Sequence, residues 1–139
     1  MNTKIFCDIA DLNQIKKFNK KKIVKGFTTN PSLIRKAGAR NYKSYCLELL
    51  NITKKPISFE VFSDNEKGMI FQGNKISKWG KNVFVKVPYV NSKGHFTGKV
   101  IKELNNNKIK LNITAVYTAS QTKKILKKID KSTKVIISI

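Results

Sequence analysis

The chain has 139 residues, 40% hydrophobic and 27% charged, enough for one soluble globular domain spanning residues 1–139. Its formal net charge is +21, but Arg35 and Arg40 are its only arginines, and arginine is what base reading and bidentate phosphate contacts favour. The lysines are scattered over nearly every predicted helix instead of collecting with aromatics on one surface. The composition therefore argues against a specific nucleic-acid module and leaves only nonspecific polyanion binding at low salt.

No run approaches the ~18 apolar residues of a membrane span, and an amino terminus with Asp8 and Asp11 is no signal peptide. A cytoplasmic protein without membrane contact is expected. Cys7 and Cys46 fit no metal-ligand spacing; each falls on an apolar face, so both are expected to be reduced and buried.

Lys4–Asp8 reads as a first strand. Leu12, Ile15 and Phe18 then recur at helical spacing behind Asp11, a good N-cap. A second strand, Ile23–Thr28, leads into Thr29-Asn30-Pro31-Ser32, where a helix can start because the N–H that proline lacks is an orphan there anyway. Tyr42, Tyr45, Cys46, Leu49 and Leu50 trace an apolar helical stripe. Ile57–Val61 is a third strand, followed by a predicted helix over Asp64–Trp79 with Met69, Ile70, Gly73 and Ile76 on its inner face. Asn82–Pro88 is the fourth strand, a β-branched apolar run carrying Lys86 just before the proline that stops it. After a loop at Gly94-His95-Phe96 comes a helix with Val100, Ile101 and Leu104, then a fifth strand, Ile109–Thr114. A helix with Ala119, Ile125, Leu126 and Ile129 and a sixth strand, Lys134–Ile139, complete the series.

Strict β–α alternation with short turns means a parallel sheet, either open and doubly wound or part of a (β/α)8 barrel. No Gly-x-Gly-x-x-Gly turn follows the first strand, so a dinucleotide fold is unsupported. Period-two alternation decides further. Lys86 shares a strand face with Phe84, Glu60 with Ser58, Thr114 with Asn112, Asp8 with Phe6, and Ser138 with Ile136. In each strand the other face is apolar, and the polar residue falls late. That is the layout of a barrel of the TIM type, packed low and polar at its C-terminal mouth, where such barrels place their chemistry.

An amine on a buried strand is costly unless it is paired or uncharged. Among Asp8, Glu60, Asn112 and Thr114, Lys86 suggests a lysine nucleophile, because Schiff-base chemistry runs on the unprotonated amine that apolar walls favour. Such chemistry wants two carboxylates, one moving protons through water while the imine forms, the other taking a proton from a substrate hydroxyl. The single histidine, His95, lies in a loop and reads as a surface residue.

These residues also carry a resemblance. Asp8-Ile9-Ala10-Asp11-Leu12, Gly26-Phe27-Thr28-Thr29-Asn30-Pro31-Ser32-Leu33-Ile34, Val85-Lys86-Val87-Pro88 and Asn112-Ile113-Thr114-Ala115-Val116-Tyr117 with Ala119-Ser120-Gln121 resemble the transaldolase family. More narrowly they resemble its small-subunit branch, which includes fructose-6-phosphate aldolase. The resemblance implies a (β/α)8 class I aldolase of the pentose phosphate pathway that acts on sugar phosphates and needs neither metal nor organic cofactor. It implies Lys86 as the Schiff-base lysine, Asp8 as acid/base at the C4 hydroxyl, and Glu60 with Thr114 as the pair holding the catalytic water. Asn30 and Asn112 would contact the dihydroxyacetone unit, Thr28 would support that site, and Ser138 matches the serine of the family's sixth-strand motif. Glu60 stands where the aldolases of this branch tend to have glutamine, which tilts the expectation towards transaldolase.

The departures are equally specific. The family has eight strands and this chain has about six βα units; the family's phosphate-binding arginine lies just beyond the sixth strand. The loop from Tyr89 to Thr97 looks longer than usual. A truncated sequence or an inactive remnant of a longer enzyme is therefore expected, poorly soluble and weakly active by itself. Small-branch members form rings, so a homo-oligomer is expected at full length.

Overall fold

The computed structural model describes residues 3–139. Strands and helices follow one another as β1 (Ile5–Asp8), α1 (Leu12–Asn19), β2 (Val24–Thr28), α2 (Pro31–Lys36), α3 (Tyr42–Ile52), β3 (Ile57–Glu60) and α4 (Glu66–Ser77). Then come β4 (Val83–Pro88), α5 (Gly98–Asn106), β5 (Leu111–Thr114), α6 (Ala119–Leu126) and β6 (Val135–Ile137). The strands lie in the order β1-β2-β3-β4-β5-β6, with parallel ladders in β1–β2, β2–β3, β4–β5 and β5–β6. A doubly wound sheet reverses its strand order partway. Sequential order does not, so the fold is α/β of the (β/α)8 barrel type, with six parallel strands alternating with helices. Among the described residues, no helix is long and apolar enough to cross a membrane.

The chain forms two compact units, one made of residues up to Glu60 with Trp79–Val83, the other of Val61–Lys78 with Phe84–Ile139. In the first, three helices start on side-chain caps: Asp11 accepts from the Gln14 N–H, Asn30 from Leu33 and Asn41 from Ser44. Each cap satisfies one of the orphan donors of a helix start and is worth about 1 kcal/mol. Ile15, Phe27, Ile34, Cys46, Leu49, Ile57 and Phe59 are fully buried here.

Gly26 sets the β1–β2 packing. A Cβ there would lie 2.2 Å from the Phe6 ring and 2.7 Å from the Pro56 carbonyl oxygen, so only glycine lets that ring cross the strand. The register slips beside it, pairing Ile5 with Val24 but Phe6 with Gly26, and so brings Asp8 level with Thr28.

The second unit buries Met69, Ile76, Val85, Val87, Ile101, Leu104, Leu111 and Ile113. Helix α4 starts on an Asn65 cap and α6 on a capping box between Thr118 and Gln121.

Several expectations need correction. The helix read over Asp64–Trp79 is shorter, because Asn65 caps its start and Lys78 closes it. Cys46 is buried but Cys7 is half-exposed, since β1 is the first strand of the order and its Ile5 is also exposed. Leu126 is exposed too: α6 ends there, and of its residues only Ile125 is buried.

Candidate active site

In the first unit, candidate residues stand at the ends of β1, β2 and β3. Asp8 closes β1 at the surface, and Thr28, its partner in register, donates a 2.7 Å hydrogen bond to Asp8 Oδ1. Thr28 thus fixes one carboxylate oxygen. Thr29, fully buried, points the other way: its hydroxyl donates to the Ser58 carbonyl at 2.7 Å, and its N–H reaches the same oxygen at 3.2 Å. The side-chain oxygen of Asn30 is taken up capping α2, accepting from the Leu33 N–H at 2.9 Å. From α3, the Tyr45 hydroxyl donates to the Ala10 carbonyl at 3.0 Å and ties down the turn after Asp8.

Glu60, half-buried at the end of β3, is held through its backbone. The Tyr42 hydroxyl accepts from the Glu60 N–H at 3.1 Å and donates to the Glu60 carbonyl at 3.0 Å. Tyr42 packs on Trp79, and Trp79 on Phe59, each pair with ring centroids 6.1 Å apart. Burial raises the Tyr42 phenol far above its ordinary range, so it stays neutral and keeps both its donor and its acceptor. Burial also pushes the neighbouring Cys46 thiol up to about 12, which makes it an inert packing group.

In the second unit, candidate residues stand at the ends of β4, β5 and β6. Lys86 is 9% exposed, in a strand whose Val83, Phe84, Val85 and Val87 are all buried. Its carbonyl accepts from the Val61 N–H at 3.0 Å. The β4–β5 register pairs Lys86 with Asn112 and Pro88 with Thr114, and residues paired across a parallel ladder share a face. Asn112 is fully buried, and its Oδ1 accepts from the Ser138 hydroxyl at 2.7 Å. Ser138 is held in turn by its N–H on the Ile113 carbonyl at 2.8 Å. An amine, an amide and a hydroxyl therefore follow one another along β4, β5 and the end of β6, with the half-buried Thr114 two residues further along its strand.

Ala115, directly after Thr114, has φ +59°. That left-handed backbone costs a non-glycine residue about 1 kcal/mol. It turns the chain so that the Val116 N–H meets the Ser138 carbonyl at 3.3 Å.

The long loop after β4 is a closed structure. Val90 pairs with Phe96, Asn91 Oδ1 accepts from the N–H groups of Lys93 and His95, and the Thr97 hydroxyl donates to the Pro88 carbonyl at 2.7 Å. Asp64 holds it from outside, accepting from the Ser92 hydroxyl and N–H at 2.7 Å each. A cleft of about 450 Å³ lies between this loop and the start of α4, and His95, exposed as expected, is on its rim.

Three parts of this arrangement escaped the sequence reading: the clamp of Tyr42 on Glu60, the anchoring of the turn by Thr29, and the strained Ala115. Thr29 and Ala115 stand inside motifs that were recognised, without a role of their own. Tyr42 was read as part of an apolar stripe.

The family profile described as Transaldolase/Fructose-6-phosphate aldolase matches residues 5–139. Among curated proteins, a "Probable transaldolase" of Herpetosiphon aurantiacus is 38% identical over 118 residues, which cover 85% of this chain and 51% of that protein. One of Clostridium kluyveri is 39% identical, over 85% of this chain and 53% of its own length. Another, of Methanococcus maripaludis, is 37% identical over the same shares. The chain spans about half the length of the curated relatives it matches. With the motifs on β1, β2, β4 and β5 falling inside the matched residues, the chain belongs to the transaldolase/fructose-6-phosphate aldolase family.

Proposed function

We propose that this chain carries the Schiff-base chemistry of a transaldolase-type class I aldolase, which transfers a dihydroxyacetone unit from a ketose phosphate to an aldose phosphate. The observation that carries the reading is Lys86, a lysine only 9% exposed as a residue, in an apolar strand and in register with the buried Asn112. Structural lysines keep their heads in water; one enclosed on a strand, beside groups able to hydrogen-bond a substrate, is suited to nucleophilic attack.

In this reading the Lys86 amine adds to the C2 ketone, and loss of water gives the imine. Glu60 and Thr114 hold the water through which protons move in that step. Asp8, oriented by Thr28, takes the proton of the C4 hydroxyl as the C3–C4 bond breaks and the aldose phosphate leaves. The electron pair of that bond is delocalised into the iminium, and the resulting enamine adds to the acceptor aldehyde. Asn112, oriented by Ser138, and Asn30 hydrogen-bond the hydroxyls of the three-carbon unit. The names of the relatives and the matched family favour this class of reaction over a binding role.

Incubation with fructose 6-phosphate and borohydride, followed by mass spectrometry, tests it. The expected result is a reduced three-carbon adduct mapped to Lys86 and absent from Lys86→Ala. No adduct, or an adduct that survives Lys86→Ala, overturns the reading. Release of glyceraldehyde 3-phosphate without any acceptor would assign simple aldol cleavage instead of transfer.

A further inference from the structure

We propose that Tyr42 is a positioning residue for Glu60: its phenol stands in for the donor that Pro31 lacks at the last rung of β3 and so holds the backbone from which the Glu60 side chain leaves. The argument starts from the ladder. On the β2 side of β3, Phe27 N–H donates to the Pro56 carbonyl at 2.8 Å and Thr29 N–H to the Ser58 carbonyl at 3.2 Å. Donors on β2 thus advance by two residues against acceptors two residues apart, and the next rung would run from residue 31 to the Glu60 carbonyl. Residue 31 is proline, which has no N–H, and it already opens α2.

The β2 backbone therefore offers the Glu60 carbonyl no N–H at this rung, and a half-buried carbonyl favours a donor. The Tyr42 hydroxyl supplies that donor at 3.0 Å and also accepts from the Glu60 N–H at 3.1 Å. A phenol suits this place because one atom donates and accepts at once. The ring is fixed in turn by Trp79, which rests on Phe59, the neighbour of Glu60 in sequence. With its N–H and C=O both held, the Glu60 backbone is restrained, and with it the direction of the Cα–Cβ bond that carries the side chain.

The catalytic consequence rests on the proposed water-handling role of Glu60. A misplacement of about 1 Å at such a group can cost up to about 100-fold in rate.

The test combines amide hydrogen exchange with the rate of borohydride-trapped imine formation on fructose 6-phosphate. In the unsubstituted protein the Glu60 amide should exchange as slowly as that of Phe27; fast exchange there overturns the clamp without any variant. Tyr42→Phe should deprotect the Glu60 amide selectively and leave that of Phe27 protected. It should slow imine formation roughly tenfold at an unchanged half-saturating substrate concentration. In a Glu60→Gln background the same substitution should cost no further rate, because the two residues act as one unit. Trp79→Phe, which keeps the phenol but trims the ring that packs on it, should slow imine formation less than Tyr42→Phe does; a larger loss counts against the clamp. Equal rate losses from Tyr42→Phe in the two backgrounds, or no loss in either, overturn the positioning role. Absence of any adduct in the unsubstituted protein overturns the proposed function itself, and is distinguishable because it is read before any substitution is made.

Discussion

The ends of β3 and β4 hold a candidate catalytic side chain in opposite ways. Lys86 sits inside a regular ladder, where its level is set by the β4–β5 register and its neighbours Asn112 and Ser138 follow from the pairing of strands. Glu60 sits at a rung where Pro31 has no N–H to give, and a tyrosine from α3 supplies the donor. A ladder position is set by many backbone bonds together, so one side chain changes little of its geometry. A clamped position draws on a single side-chain oxygen for two of its bonds. The first arrangement suits a nucleophile that must stay in place; the second makes the carboxylate sensitive to a residue that touches no substrate.

The largest effect expected on either side of that comparison is at the amine. On the proposed chemistry, Lys86→Ala should lower turnover of fructose 6-phosphate by at least about 1000-fold, since the amine assigned to the imine is gone. A coupled assay for glyceraldehyde 3-phosphate release measures it, and residual activity within tenfold of the unsubstituted protein would contradict the role.

Next comes the packing that sets the level of Asp8. Gly26→Ala pushes a methyl group into the Phe6 ring and the Pro56 carbonyl oxygen. The ring can move, but the carbonyl belongs to the backbone ahead of β3. A loss of about 2 kcal/mol is expected, read as a lower urea midpoint at unchanged slope. Phe6→Ala in the same chain should return only part of it, because the carbonyl contact remains.

Ser138→Ala is the milder perturbation of the ladder side. It leaves Asn112 Oδ1, in a fully buried side chain, without its 2.7 Å donor, at a cost of about 1 kcal/mol. If the amide contacts the dihydroxyacetone unit, half-saturation should rise a few-fold while the Lys86 adduct still forms. An unchanged urea midpoint would mean that the hydroxyl has no structural share in the row.

How much of this could be read beforehand follows the same division. The period-two pattern placed Lys86, Asn112 and Ser138 late on their strands, because a ladder transmits sequence parity directly into space. The start of α2 at Pro31 and the Asp11 cap were legible for the equally local reason that orphan N–H groups need an acceptor. The clamp was not legible. Tyr42 lies eighteen residues before Glu60, on a helix face that hydrophobic periodicity reads as plain core. Only the β2–β3 register shows that Pro31 falls on the rung facing Glu60. Cys7 was misread for a related reason: alternation tells which face a residue occupies but not how well a strand at the start of the order is covered.

The smallest predicted effect concerns two carboxylates that hold loops, not substrate. Hydrogen bonds from the Ser92 hydroxyl, and then from its N–H, hold Asp64 below the usual carboxylate range. Those from the Ser132 hydroxyl and from Lys108 bring Asp130 down to about 2. Both groups have a lower pKa folded than unfolded, where an aspartate titrates near ~3.9. Their contribution is therefore complete above about pH 4, and it fades as pH falls through the folded values. Both side chains are open to solvent, so the effect is modest and shrinks with added salt. A urea titration in steps from pH 5 to pH 2 should show the unsubstituted protein losing stability faster below pH 4 than Asp130→Asn does. Acid also raises the net positive charge of a chain that starts at +21, and this adds a slope shared by both proteins. Only the difference between them reports the Ser132 and Lys108 contacts. Parallel curves would mean that Asp130 is no better held in the folded chain than in the unfolded one.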